Sequence, residues 1–211
     1  MIFQLDERLV FPNPKLAEPD GLLAVAGDLS PERLLLAYQS GISPWYDEDP
    51  ILWYAPHERC VIYPDELIIS RSMQRYLRKS PFKITINTCF ADVITACATV
   101  EREGQDGTWI NEDMKAAYIN LHQLGYAHSI EVWQQDELVG GMYGIPIGRV
   151  FCGESMFSKV SNASKAALIH LLQSGEYDLL DCQVHNDHLE SLGARMIPQK
   201  DYMEVLRNNV G

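Results

Sequence analysis

Glu154, Asp181 and Gln183 are the residues of this 211-residue chain best suited to chemistry. They lie in two short blocks, Phe151-Cys152-Gly153-Glu154-Ser155-Met156-Phe157 and Leu180-Asp181-Cys182-Gln183-Val184-His185-Asn186-Asp187-His188. Two carboxylates and an amide among small and apolar residues make a polar cluster of the kind that orients a ligand in an otherwise apolar site. In a regular strand Asp181 and Gln183 project from one face and Cys182 from the other. That reads as a placed carboxylate and amide.

Other chemistries fit the sequence poorly. Ser155 opens like a nucleophile elbow, but the closing glycine is missing. Cys182, His185 and His188 have ligand-like spacing, yet no second cysteine pair accompanies them, and alternation turns Cys182 away from Gln183. Neither GxxxxGK[ST] nor GxGxxG occurs, which argues against ATP and dinucleotides.

The elements that must hold these residues read as a mixed pattern. Strands are expected at Cys60 to Tyr63, Phe82 to Asn87, His128 to Trp133, Leu138 to Tyr143, Arg149 to Gly153 and Asp178 to Gln183. Glu154 then falls one residue beyond a strand. Turns are expected at Gln134-Gln135-Asp136 and at Ile145-Pro146-Ile147-Gly148. Gly140, Gly141 and Gly144 suggest a bulge or the close approach of a ligand. Helices are expected at Pro31 to Gln39 with Ser30 as cap, from Ser70 through Lys79, at Phe90 to Glu101, Asn111 to Leu124, Asn162 to Leu172 and briefly after Asn186. The helix from Asn162 is apolar almost all round and must be buried on both sides. Gly41 to Tyr46 reads as a loop. The Pro- and Gly-rich start gives way to regular spacing near Pro56, so a small domain over residues 1–58 and a larger one over 59–211 are expected.

Composition sets the outer bounds. With 46% hydrophobic and 22% charged residues the chain is globular. No apolar run approaches the ~18 residues of a membrane span, and the N-terminus lacks a basic start with an apolar core, so a cytoplasmic place without membrane contact is expected. The five cysteines, odd in number and mostly inside apolar runs, read as buried free thiols. A net charge of −12 argues against general coating of nucleic acid. One stretch runs against this: Arg71, Arg75, Arg78, Lys79 and Lys83 occur between Ile68 and Cys89 with no acid. On a helix the first four fall within about 100° of arc, with Met73, Tyr76 and Leu77 opposite. That ridge is either a phosphate-binding strip or an ordinary solvated face.

GLLAVAGDLSPERLLLAYQSGISPWY, the Gly107-Thr108-Trp109-Ile110 loop, HSIEVWQQDELVGGMYG, FCGESMFSKVSNASK and LLDCQVHNDHLESLGA resemble the bacterial leucyl/phenylalanyl-tRNA protein transferases, block by block and in the same order. The resemblance implies an α+β fold: a GNAT-like acyltransferase domain, mostly antiparallel sheet flanked by helices, behind a small N-terminal α/β domain. It implies transfer of Leu, Phe or Met from aminoacyl-tRNA to a protein beginning with Arg or Lys, which marks that protein for degradation, with no metal or nucleotide cofactor. It assigns Asp181 and Gln183 to a proton relay and Glu154 to the pocket, where it holds either the donor's ammonium or the acceptor's guanidinium. Met142, Phe151 and Leu168 match the donor pocket. Trp45 and Trp109 match the site of the terminal adenosine, and the ridge of Arg71, Arg75, Arg78 and Lys79 would meet acceptor-stem phosphates. A monomer is expected.

The resemblance fits the chemistry. An aminoacyl ester is already activated, so the protein mainly positions an amine and removes a proton, and positioning alone contributes up to ~7–11 kcal/mol. The rival enzyme is an acyl-CoA-dependent GNAT N-acyltransferase, against which stands the absence of an [QR]xxGx[GA] loop. The rival outside enzymology is a non-catalytic RNA-binding protein or degradation adaptor.

Overall fold

The computed structural model describes residues 1–80, 82–99, 110–183 and 185–209. Along the chain the elements are β1 (Phe3–Leu5), β2 (Leu22–Ala26), α1 (Pro31–Gln39), β3 (Ser43–Pro44), β4 (Leu52–Tyr54), β5 (Glu58–Ile62), α2 (Arg71–Lys79), β6 (Phe82–Ile86), α3 (Phe90–Thr99) and α4 (Glu112–Gln123). They continue with β7 (His128–Gln134), β8 (Glu137–Ile147), β9 (Val150–Ser158), α5 (Ala163–Gln173), β10 (Leu179–Gln183), α6 (Asp187–Ser191), β11 (Arg195–Pro198) and α7 (Gln199–Asn209). This is the mixed α+β class that the sequence predicts.

Two sheets organise the molecule. The first has the order β1-β2-β4-β3 and the second the order β11-β5-β10-β9-β8-β7-β6. In the larger sheet every pairing is antiparallel except β9 with β10. Alternation divides its side chains between two apolar clusters. Val61, Cys152 and Leu179 face α1, α3, α4 and α7 together with the small sheet. Cys60, Ile62, Phe151 and Leu180 face α5, with Met73 of α2 and Leu189 of α6. The sheet is therefore covered on both sides, as its long apolar runs require.

Several expectations need correction. Ser43 and Pro44 form a short strand on β4 rather than loop. The second hairpin turns at Gly148-Arg149, because Ile145, Pro146 and Ile147 pair with Cys152, Phe151 and Val150. Pro146 is tolerated there because the β7 ladder has ended at His128↔Gly144, leaving one side of β8 open. The bulge expected at the β8 glycines is present, with register shifts beside Gly140 on the β7 side and at Gly144 on the β9 side, and the close approach there comes from the protein itself. A Cβ at Gly140 would lie 2.5 Å from the Cβ of Ala163, and one at Gly144 would lie 2.3 Å from the Cys152 carbonyl oxygen. The C-terminal pair β11 and α7 was not expected. In α5, eight of the eleven residues are buried, as its apolar surface demands.

Candidate functional site

The site arises where two neighbouring strands each carry an extra residue. On β9 the register passes from Gly144↔Gly153 to Tyr143↔Ser155, so Glu154 is the residue without an opposite number. It lies inside β9 and not beyond a strand as predicted, because the bulge interrupts the pairing without ending it. On β10 the register passes from Asp181↔Val61 to Gln183↔Cys60, and Cys182 is the extra residue. The parallel β9–β10 ladder stops at Asp181↔Cys152. Glu154 and Gln183 follow directly, facing each other past the end of that ladder.

The resulting hydrogen bonds link six elements. Gln183 Nε2 donates to Glu154 Oε1 at 2.8 Å, and the Tyr38 hydroxyl donates to the same oxygen at 2.5 Å. With its proton given to Glu154, Tyr38 accepts in turn from the very close hydroxyl of Tyr118. Tyr38 comes from α1, and Tyr118 belongs to the buried Met114-Tyr118-Leu121 stripe of α4. Gln183 N–H donates to Asp181 Oδ1 at 2.8 Å. Asp181 Oδ2 accepts from Arg59 Nη1 and from the Tyr202 hydroxyl, both at 2.7 Å. Arg59 Nη2 also donates to the Gly41 carbonyl at 2.7 Å.

Burial gives these groups unusual electrostatics. Glu154 is half-buried. Desolvation pushes its carboxyl up to about 8, against the pull of hydrogen bonds from Tyr38 and Gln183, while the Asp181 charge adds to the rise and Arg59 offsets part of it. Burial and then the Glu154 charge hold the Tyr38 and Tyr118 hydroxyls well above their usual range, so both remain protonated donors. Asp181 is 0% exposed, and both its oxygens are engaged. Its contact with Gln183 is through the backbone, while the Gln183 carboxamide serves Glu154. The bulge thus replaces the shared face expected of Asp181 and Gln183 by two different orientations.

The apolar candidates Met142, Phe151 and Leu168 lie together on the α5 face, enclosed in the cluster that also holds Leu180. Tyr38, Tyr118 and Tyr202 belong to the cluster on the opposite face. Trp45 is 51% exposed and tilts against Tyr54 with ring centroids 5.7 Å apart. Trp109 lies outside the described residues. Ser70 caps α2 as predicted, and Arg71, Arg75, Arg78 and Lys79 are all exposed. None of the four makes an ion pair among the described residues. Opposite them Met73 is buried, while Tyr76 stays 37% exposed and donates to the Ser161 carbonyl at 3.1 Å.

Sequence reasoning missed Tyr38, Tyr118, Arg59 and Tyr202. Arg59 had the best signal, a cation heading the apolar run Cys60-Val61-Ile62, where burial requires a partner. The tyrosines resemble ordinary core residues until their hydroxyl partners are known.

Comparison with known proteins follows the same lines. The family model described as leucyl/phenylalanyl-tRNA protein transferase matches residues 61–207, and the model of that family's N-terminal domain matches 27–57. The leucyl/phenylalanyl-tRNA protein transferase of Flavobacterium johnsoniae is 54% identical, over 98% of this chain and all of its own length. That of Syntrophobacter fumaroxidans is 54% identical over 99% of this chain and 91% of its own, and that of Shigella dysenteriae 53% over 94% and 86%. Among solved structures, FemX is 11% identical with a TM-score of 0.48 over 83% of this chain and 70% of its own, too loose a likeness to assign anything. Matched in both its parts and across almost its whole length, this chain belongs to the leucyl/phenylalanyl-tRNA protein transferase family.

Proposed function

We propose that this protein transfers Leu, Phe or Met from aminoacyl-tRNA to the α-amino group of proteins that begin with Arg or Lys, forming a peptide bond and marking the acceptor for degradation. The observation that carries this is Glu154. It is a carboxyl raised to about 8, held by a tyrosine and a carboxamide at the end of a strand pair, in a chain of this family. The α-amine it would serve has a pKa of ~8, so a proton passes between them with little free-energy difference. The neutral amine attacks the ester carbonyl, the C–N bond forms, Glu154 takes the proton, and the C–O bond to the ribose breaks. Glu154 then returns the proton to the departing ribose oxygen. Gln183 and Tyr38 keep Oε1 in place, leaving Oε2 with no hydrogen bond among the described residues. Asp181, enclosed and saturated, contributes by holding Gln183.

By family resemblance the donor's apolar side chain is assigned to Met142, Phe151 and Leu168, which share one apolar cluster on the α5 side of the sheet. Shape alone discriminates by ~1–3 kcal/mol per methylene, which suits tolerance among Leu, Phe and Met. Trp45 supplies a stacking surface for the terminal adenosine, Trp109 a second by family resemblance, and the exposed cations of α2 a strip for acceptor-stem phosphates. The chain's net charge of −12 favours a cationic acceptor. Residues 1–58 serve as the smaller domain and 59–211 as the transferase domain. In support, the family models divide between residues 57 and 61. No helix among the described residues is long and apolar enough to cross a membrane. We place the protein, as a monomer, in the cytoplasm, where aminoacyl-tRNA is found.

One assay tests the reading. Purified protein is mixed with an Arg-starting peptide and labelled Leu-tRNA, labelled acetyl-CoA or neither. Label should pass to the peptide from Leu-tRNA. Transfer from acetyl-CoA alone, or from neither donor, would overturn it in favour of an N-acetyltransferase or a non-catalytic adaptor.

A further inference from the structure

Arg59 hydrogen-bonds to neither Glu154 nor Gln183, yet both donors to Glu154 Oε1 among the described residues lead back to it. We propose that Arg59, assisted by Tyr202, is a positioning residue for the transfer, its single guanidinium fixing both the Gln183 and the Tyr38 donors of Glu154. The inference rests on Glu154 being the proton acceptor.

The first arm runs through β10. Arg59 Nη1 and the Tyr202 hydroxyl both occupy Asp181 Oδ2. That orientation presents Oδ1 to the backbone N–H of Gln183 two residues on, an Asx-type closure around the extra residue Cys182. Gln183 is thereby held at φ +62, in the left-handed region that non-glycine residues rarely enter. Such a conformation persists where the surroundings over-determine it. From it the carboxamide reaches Glu154.

The second arm runs through α1. Arg59 Nη2 holds the carbonyl of Gly41, whose own N–H donates to the carbonyl of Tyr38 at 3.1 Å. The guanidinium therefore anchors the end of the helix that aims the Tyr38 hydroxyl. It lies over the Tyr202 ring, 4.3 Å from the centroid, which restrains its plane. A planar fork can hold two acceptors at a fixed spacing, and a lysine ammonium on a flexible stem cannot. A buried ion pair is weak evidence of net stabilisation in itself. Its geometry here serves the bulge.

The test is a double-mutant cycle on the full-length protein. Tyr202→Phe and Arg59→Lys are each measured in the wild-type and the Gln183→Ala backgrounds, by single-turnover transfer from Leu-tRNA to an Arg-starting peptide and by Leu-tRNA binding. Arg59→Lys should slow transfer about 10²-fold, the effect of a ~1 Å misplacement, with donor binding unchanged. The loss caused by Tyr202→Phe, which touches the first arm alone, should disappear in the Gln183→Ala background. Losses that multiply, or binding that falls as far as rate, would overturn the proposal. If Arg59→Lys does not fold, Tyr202→Phe still decides. A readout independent of activity is the ionisation of Glu154, followed as the infrared carboxyl band that Glu154→Gln abolishes. It should move upward by about one unit in Tyr202→Phe as the Gln183 donor loosens. An unmoved band would refute the positioning role, while a moved band in a protein inactive with Leu-tRNA would instead refute the proposed reaction.

Discussion

Replacing Glu154 by Gln should remove most of the transfer activity and make the protein more stable than wild type at alkaline pH. The carboxyl lies at about 8 in the fold against a usual 4.5. At ~1.4 kcal/mol per unit, that gap corresponds to a coupling on the order of 3–5 kcal/mol between folding and the Glu154 proton. The sign follows from proton binding. A folded pKa above the unfolded one means that the native state holds the proton more tightly, so this contribution is fully present below the unfolded value. It declines as pH rises and is gone above about 8. Urea unfolding of both proteins at intervals from pH 5 to pH 9 isolates the effect, because all other groups are common to the pair. The stability difference in favour of Glu154→Gln should grow by up to ~1.4 kcal/mol per pH unit and flatten near pH 8. Single-turnover transfer should fall ~10²–10⁴-fold, the usual weight of a positioned base. Parallel stability curves would show that Glu154 titrates at its ordinary value. Full activity of the variant would remove it from the reaction.

Four further outcomes are expected. Asp181→Asn should lower turnover far more than donor binding, and should cost about 3 kcal/mol in chemical denaturation because it strips the buried Arg59 of its counter-charge. Replacing Arg75 and Lys79 by Ala should flatten the salt dependence of tRNA binding by ~0.7–0.9 log unit per lost phosphate contact, measured by titration at several salt concentrations. Trp45→Ala should weaken donor binding by ~1–3 kcal/mol in the same titration with its salt slope unchanged. Gly144→Ala should lower the melting temperature by several degrees, since its Cβ would meet both the Cys152 carbonyl and, at 2.6 Å, the Phe151 ring.

The periodic parts of this fold were legible in the residues. The Ser30 and Ser70 caps, the apolar helix from Asn162 and the strand from His128 follow local rules, and local rules suffice for them. Asp181, Gln183 and Glu154 were also recognisable as a cluster. Their orientation was not, because period-2 alternation holds only while the register does, and both strands break it at these residues. Arg59 and Tyr202 come to Asp181 from 122 and 21 residues away in sequence, through pairings that no local pattern encodes. Ser155, tempting as a nucleophile, is an ordinary paired residue of β9 opposite Tyr143.

The two bulges have a consequence for how such a protein can lose its activity. Each is one surplus residue in its ladder, so removing Glu154 would restore the β8–β9 register, and removing Cys182 would restore the β5–β10 register at the cost of one side chain packed on the α5-side cluster. Most deletions inside a strand damage folding first. On the role proposed for Glu154, deleting its codon should abolish transfer while the strand pair persists, so a relative shorter by one residue at that point is expected to keep the scaffold and lack the transfer.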